Sequence, residues 1–180
     1  VEIPGEVDMP EPDQLPDPGR MDEAPPADLL GLDAGGTAGG DGFQTRVDPK
    51  DPNIVYSESQ HGNLQRFNLK TGESVNIVPQ EELNDTADRW YWDSPFIISP
   101  HSNTRLYFAS QRLFRSDDRG NSWRPVSTDL SRQIDRNGIK MMDRVWSMDA
   151  IAKNSSSSNF GTIVTVQESP VKEGLLWVGT

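Results

Sequence analysis

Three prolines in this sequence are each followed, seven residues later, by an aromatic residue. The pairs are Pro49 with Tyr56, Pro100 with Tyr107, and Pro170 with Trp177. Successive prolines are 51 and 70 residues apart, so the third unit contains 19 additional residues, which we assign to an inserted loop over 128–161. Self-similarity at this period indicates a repeat architecture.

Each unit has the pattern of a β-hairpin. Proline cannot donate a hydrogen bond to a β-ladder, so it marks the end of one strand and opens the turn. The runs that contain the aromatic residues are rich in β-branched and aromatic side chains, which favours buried strands. The predicted strands include 54–56, 64–69, 75–78, 106–108, 113–115, 123–126 and 176–178.

Four short strands in a repeat of about 50 residues are typical of a β-propeller blade. A β-sandwich is the alternative, but it would not require the units to match one another. We therefore predict an all-β fold of four-stranded antiparallel propeller blades within residues 41–180. The expected blades are 41–79, 94–127 and 148–180, which is fewer than a closed propeller needs.

The first 40 residues differ in composition from the remainder. They contain ten acidic residues and one basic residue, whereas 41–180 contain 18 acidic and 16 basic residues, so the net charge of −11 belongs mostly to this segment. Its prolines and sparse apolar residues predict an extended arm or linker over 1–40. The alternative is an arm that lies across a partner, anchored by Leu29, Leu30 and Leu32.

Composition argues against several kinds of site. The chain has no cysteine and two histidines, His61 and His101, so we expect no disulfide, no metal site and no cofactor. Its basic residues form no stripe, which argues against a nucleic-acid partner. No apolar run approaches the roughly 20 residues that a membrane-spanning helix needs, so we expect no transmembrane segment in this chain.

One motif has high specificity. Residues 116–123 read Ser-Asp-Asp-Arg-Gly-Asn-Ser-Trp and match the Asp-box pattern Ser-x-Asp-x-Gly-x-Ser-Trp at every defined position. This pattern predicts a tight turn in which a carboxylate accepts hydrogen bonds, glycine takes a positive φ and tryptophan packs beneath the turn. We interpret its residues as structural, not catalytic: Ser116, Asp118, Gly120, Ser122 and Trp123.

Residues 39–180 resemble the bacterial BNR, or Asp-box, repeat propellers, which are also called sortilin-like and often labelled glycosyl hydrolases. The resemblance rests on the Asp-box and on the stretches 39–43, 89–95, 113–116, 161–163 and 175–180. It implies an incomplete part of a seven-bladed or larger propeller that is exported from the cytoplasm. The resemblance is specific for the family and does not define a function.

An aromatic cluster, Arg89-Trp90-Tyr91-Trp92, is the first candidate binding surface. If the cluster were a strand, Trp90 and Trp92 would lie on one side and Arg89 and Tyr91 on the other. Exposed aromatic rings beside arginine can stack on sugars or anchor a protein partner. The alternative is that both tryptophans fill the space between blades.

The inserted loop is the second candidate binding surface. Arg144 and Trp146 have the same two interpretations as the first cluster. The loop also contains Met141 and Met142, and adaptable methionine side chains suit either partner binding or core filling.

Hydrolase chemistry is the alternative to binding. A sialidase-like site needs a cluster of arginines that grips a carboxylate, but the spacing of Arg46, Arg66, Arg89 and Arg112 predicts no such cluster. A xyloglucanase-like site needs two carboxylates across an open cleft. Asp41 and Asp93 are the acids placed best for it, although each more simply caps a turn.

We therefore expect a non-catalytic binding or scaffolding module, extracytoplasmic and bacterial, that recognises a protein or peptide. Subunits of a larger membrane-attached complex are candidate partners, and carbohydrate is a further candidate ligand. The alternative function is a fragment of a carbohydrate-active glycoside hydrolase.

Overall fold

The computed structural model describes residues 41–81, 85–155 and 159–180. These residues form ten strands and two short 3-10 helical turns, Gln60–Gly62 and Arg136–Gly138. The strands are β1 Gly42–Asp48, β2 Asp51–Ser59, β3 Asn63–Asn68, β4 Glu73–Asn76, β5 Phe96–Ser99, β6 Ser102–Ala109, β7 Leu113–Ser116, β8 Arg124–Pro125, β9 Thr165–Glu168 and β10 Leu176–Gly179. The arm predicted over residues 1–40 lies outside the described residues.

All strand pairs are antiparallel and join neighbours in sequence. The first sheet has the order β1-β2-β3-β4, the second has the order β5-β6-β7-β8, and β9 pairs with β10 in a two-stranded third sheet. The predicted all-β fold of four-stranded antiparallel sheets is confirmed, and the arrangement is consistent with partial propeller blades. The domain boundaries remain predictions.

The three prolines occupy equivalent turns, and the residue before each proline caps its turn. Asp48 Oδ1 accepts hydrogen bonds from the amides of residues 50 and 51 at 2.8 and 3.2 Å. Ser99 Oγ accepts one from His101 N at 3.2 Å. Ser169 Oγ accepts two, from residues 171 and 172, at 3.3 and 3.1 Å. The repeat therefore has a polar cap that directly precedes each proline.

Strand β6 is buried on both faces and joins two hydrophobic cores. Leu106 and Phe108 pack in a core with Tyr56 of β2, whereas Tyr107 and Ala109 pack in a second core with residues of the third sheet. Alternate residues of a strand point to opposite faces, so one continuous apolar run serves both interfaces. The three sheets therefore stack face to face through β6.

Two long connections contain the candidate binding residues. The described residues between β4 and β5 form no strand, so the alternation considered for Arg89–Trp92 does not apply. Between β8 and β9, the described residues contain the second 3-10 turn and one isolated bridge, Met141 with Arg144. Within the described part of the chain, no helix is long and apolar enough to cross a membrane.

Candidate functional site

The Asp-box turn joins β7 to β8 and is held by a network of side-chain hydrogen bonds. Ser116 Oγ donates to Asp118 Oδ1 at 2.8 Å and accepts from Gly120 N at 2.8 Å. Asp118 also accepts from the amide and hydroxyl of Ser122 at 2.9 and 2.5 Å. Burial opposes ionisation of Asp118, but the hydrogen bonds from Ser122 and Ser116 outweigh it and lower its pKa.

The same turn contacts the first sheet, which explains its glycine and its tryptophan. Trp123 Nε1 donates to the Ile77 carbonyl at 2.6 Å. Gly120 has a φ of 85°, and a Cβ at this position would lie 2.6 Å from Ile77 Cδ1. A side chain would therefore be both strained and obstructed there. The five Asp-box residues take part in folding and packing.

The residues of the aromatic cluster are dispersed over three environments. Trp90 stacks on Phe108 in the first core, with ring centroids 4.6 Å apart. Trp92 is partly exposed and meets the His61 ring edge-on at 4.8 Å. Trp90 and Trp92 do not share one side of a strand, because this segment forms no strand. Trp90 fills the space between sheets, and Tyr91 is half-buried.

Arg89 and Arg112 line a cleft of about 730 Å³, but both are held by carboxylates. Arg89 pairs with Asp129 at 2.8 Å, and Arg112 pairs with Asp85 and Asp88 at 2.6 and 3.1 Å. Hydrogen bonding from Arg112 lowers the pKa of Asp85.

The other two arginines that were weighed for a sialidase-like site have different contacts. Arg66 donates to the Arg119 carbonyl at 2.7 Å, and Arg46 donates to Gln44 at 3.4 Å. Arg89 and Arg112 therefore share a cleft but have separate carboxylate partners, and neither Arg46 nor Arg66 lines that cleft.

A buried carboxylate, Asp48, connects the first two sheets and was not identified from the sequence. Its side chain accepts from Asn103 Nδ2 at 2.9 Å and from Arg119 Nε at 3.0 Å, in addition to its own turn amides. Burial opposes its ionisation, but these hydrogen bonds and the charge of Arg119 lower its pKa. Asp48 therefore links the first repeat turn to the second sheet.

Asp93 lies beside a second carboxyl group that sequence reasoning also missed. Glu58 is fully buried, its Oε1 accepts from Ser94 N at 3.1 Å, and its Oε2 has no hydrogen-bond partner. Burial, together with the neighbouring charge of Asp93, raises the pKa of Glu58 to about 8. Asp41 is exposed, and its amide donates to Gln60 Oε1 at 2.8 Å.

The sequence contained one signal for Glu58. Residues 54, 56 and 58 share one face of β2, and Ile54 and Tyr56 are core residues. The alternation of side chains along β2 therefore predicts that the Glu58 carboxyl lies on the same buried face as Ile54 and Tyr56. With its Oε1 bonded to a backbone amide and no exposed surface, Glu58 is positioned as a neutral core group rather than as a group that contacts substrate.

The inserted loop contains an apolar groove of about 610 Å³. Its apolar walls include Ile139, Met141, Trp146 and Ile151, and Arg136 and Lys153 also line it. The guanidinium of Arg144 lies 3.5 Å from the centre of the Trp146 ring, a close cation–π contact.

Local hydrogen bonds hold the groove in shape. Trp146 Nε1 donates to the Met141 carbonyl at 3.0 Å, and Lys153 Nζ donates to the Trp146 carbonyl. Met141 and Arg144 bridge around two residues with positive φ, Met142 at 53° and Asp143 at 63°. Residues other than glycine rarely adopt this backbone conformation, so the turn is strained, and Met142 lies at its tip.

No group of three or more His, Asp or Glu side chains within the described ranges is arranged to hold a metal ion. No family model matches the chain, and no curated protein matches it. Among solved structures, the chain is similar to the crystal structure of an ancestral GH74 enzyme, with 12% sequence identity and a TM-score of 0.38. That alignment covers 70% of this chain and 14% of the other.

Proposed function

We propose that residues 41–180 are blades of an Asp-box propeller that acts as a non-catalytic recognition module, with the inserted loop as its binding surface for a protein or peptide. The extracytoplasmic, bacterial location implied by the family resemblance is part of the same proposal. The observation that carries it is the exposure of apolar side chains on one loop: Met142 is 91% exposed and Ile151 is 100% exposed.

This exposure is concentrated, which supports a binding role. Between residues 139 and 151 the exposed large apolar side chains are Ile139, Met141, Met142, Val145, Met148 and Ile151. Three of these, Ile139, Met141 and Ile151, line the groove. Single exposed apolar residues are ordinary, whereas several on one loop are characteristic of an interaction site. The methionines can adjust to the shape of a ligand.

The first candidate cluster supports the choice of the loop. Trp90 is packed between the sheets, and Arg89 is held by Asp129, Ser131 and the Gly161 carbonyl. Trp90 would have to leave this packing to contact a partner, and the Arg89 guanidinium is already engaged by acceptors inside the protein. Arg144 and Trp146, by contrast, lie in the loop that carries the groove.

Selection of a displayed random-peptide library on the immobilised protein tests the proposal. We expect enriched peptides whose binding is lost in Ile151→Asp, which places a charge on the groove wall. They should retain binding to Val171→Asp, a matched control in which an equally aliphatic residue, 91% exposed on the third repeat turn, receives the same charge. Failure to enrich any peptide, or equal loss in both variants, would overturn the proposal.

The hydrolase alternative is tested with the same protein preparation. Xyloglucan and a fluorogenic sialoside are incubated with the protein, and released sugar is measured. The recognition proposal predicts no turnover above that of a heat-inactivated sample. Turnover that Asp93→Asn abolishes would instead support the hydrolase.

A further inference from the structure

We propose that the loop groove binds an acidic peptide segment with apolar anchor side chains. This inference rests on the proposed function and specifies its ligand. Three properties of the groove lead to it: the exposure of its walls, the sign of the charges that line it, and the hydrogen bonds that fix its shape.

The walls of the groove require apolar anchors in the ligand. Met141 is 65% exposed, and Ile151 and Trp146 line the same groove. Covering apolar surface yields about 25 cal/mol per Å² removed from water. A ligand that inserts aliphatic or aromatic side chains between these walls therefore gains more than a polar ligand.

The charges at the groove are positive, although the chain as a whole is not. Arg136 and Lys153 line the groove, and among the described residues no Asp or Glu does so. The whole chain has a net charge of −11. Most of that charge lies in residues 1–40, whereas residues 41–180 contain 18 acidic and 16 basic residues. A local cationic site on this nearly balanced segment favours ligands whose negative charges lie close to the apolar anchors.

The same balance of charge disfavours a polyanion such as a nucleic acid. A polyanion gains affinity by neutralising many phosphates along a basic stripe. Here the groove supplies two cations, and the loop beyond it mixes acidic with basic residues, Asp143 and Asp149 with Lys140 and Arg144. One or two carboxylates on a short peptide match this charge, whereas a long phosphate backbone would need a continuous row of cations, which this mixture of charges does not provide.

The groove is held open before the ligand arrives. Three lining residues are joined by hydrogen bonds, from Trp146 to Met141 and from Lys153 to Trp146. In the same loop, Ala150 N donates to Ser147 O at 3.2 Å. Little ordering is then required on binding, which favours affinity for a short segment. The strained turn at Met142 adds an exposed, adaptable side chain beside the groove.

Fluorescence anisotropy with three labelled twelve-residue peptides tests the inference. The first alternates Glu with Leu and Phe, the second has Lys in place of Glu, and the third has Ser in place of Leu and Phe. We expect the first to bind at least tenfold more tightly than the other two. Its affinity should fall at higher salt, because partly exposed charges are screened.

Variants then assign the binding to the groove. Lys153→Gln removes the charge and leaves an amide donor on a side chain that is shorter by one atom, and we expect it to weaken binding of the acidic peptide severalfold. Ile151→Asp should abolish binding, and Val171→Asp should leave it unchanged. Thermal melts of each variant confirm that the fold is retained.

The outcomes separate this inference from the proposed function. Equal binding of the Glu and Lys peptides, or stronger binding of a dT12 oligonucleotide, would overturn the proposal that the ligand is an acidic peptide. Library peptides that lose binding in Ile151→Asp but carry no acidic residues would also overturn it, while leaving the proposed function intact. Library peptides that bind Ile151→Asp normally would overturn the proposed function itself.

Discussion

The interface between the first two sheets and the inserted loop use apolar side chains in opposite ways. In the interface, Tyr56, Phe96 and Phe108 are fully buried between β2, β5 and β6. In the loop, Met142 and Ile151 are almost entirely exposed, and local hydrogen bonds maintain the shape. The difference indicates that stability resides in the stacked sheets, and under the proposed function the loop is the part that contacts a partner.

Truncation of one apolar side chain in each region tests this division and gives the largest expected effect. Phe108→Ala should lower the free energy of unfolding by about 3–5 kcal/mol, because it removes buried surface and leaves a cavity. Ile151→Ala should change it by less than about 0.5 kcal/mol. Urea denaturation followed by tryptophan fluorescence measures both.

Similar losses in both variants would contradict the division. If Phe108→Ala does not fold, Phe108→Leu retains most of the volume and should cost about 1 kcal/mol, which keeps the comparison measurable. The ring of Trp90 stacks on Phe108, so its fluorescence should also change in these variants and not in Ile151→Ala.

The pH dependence of stability also tests this comparison, because Glu58, a fully buried carboxyl group, lies on the same face of β2 as the core residue Tyr56. Burial raises the pKa of Glu58 to about 8, from 4.5. Between these values the folded protein binds a proton that the unfolded chain releases, so this group makes stability fall as pH rises from about 5 to about 8. The loss is on the order of 3 kcal/mol.

Glu58→Gln should remove this pH dependence. The amide has nearly the same shape as the protonated carboxyl and does not ionise, so the variant should match the wild type near pH 5 and exceed it near pH 8.5. Asp93→Asn should reduce the dependence of stability on pH only in part, because burial is the larger cause of the raised pKa of Glu58. Urea midpoints at both pH values measure this, and an unchanged slope in Glu58→Gln would be inconsistent with a neutral buried carboxyl.

The parts of the structure that the sequence predicted depend on local patterns. The proline-to-aromatic spacing predicted the strands around Tyr56 and Tyr107, and the Asp-box sequence predicted a tight turn, because turn chemistry is contained in a few consecutive residues. The polar residue before each proline is an additional local signal, because its side chain caps the turn.

The parts that the sequence did not predict depend on distant partners. Arg89 contacts Asp129 and Gly161, which are 40 and 72 residues away, and Trp90 stacks on a strand that follows it. Alternation within 89–92 could not reveal these contacts. Likewise, Trp90 packs against the first core whereas Trp146 lines the loop groove, although both tryptophans lie near an arginine in the sequence.

A substitution in the Asp-box turn should lower the free energy of unfolding by an amount between those expected for the interface and the loop. Local hydrogen bonds hold this turn, but Trp123 also fixes it to the first sheet. Asp118→Ala removes the acceptors for Ser116 Oγ, Ser122 N and Ser122 Oγ, and it should cost about 1–2 kcal/mol. The control is Thr71→Ala, in the equivalent turn of the first sheet, where Thr71 Oγ1 accepts one exposed bond at 3.3 Å. That control should cost less than about 0.5 kcal/mol. Urea denaturation compares the two, and a loss in Asp118→Ala as small as that in Thr71→Ala would mean that packing of Trp123 alone maintains the turn.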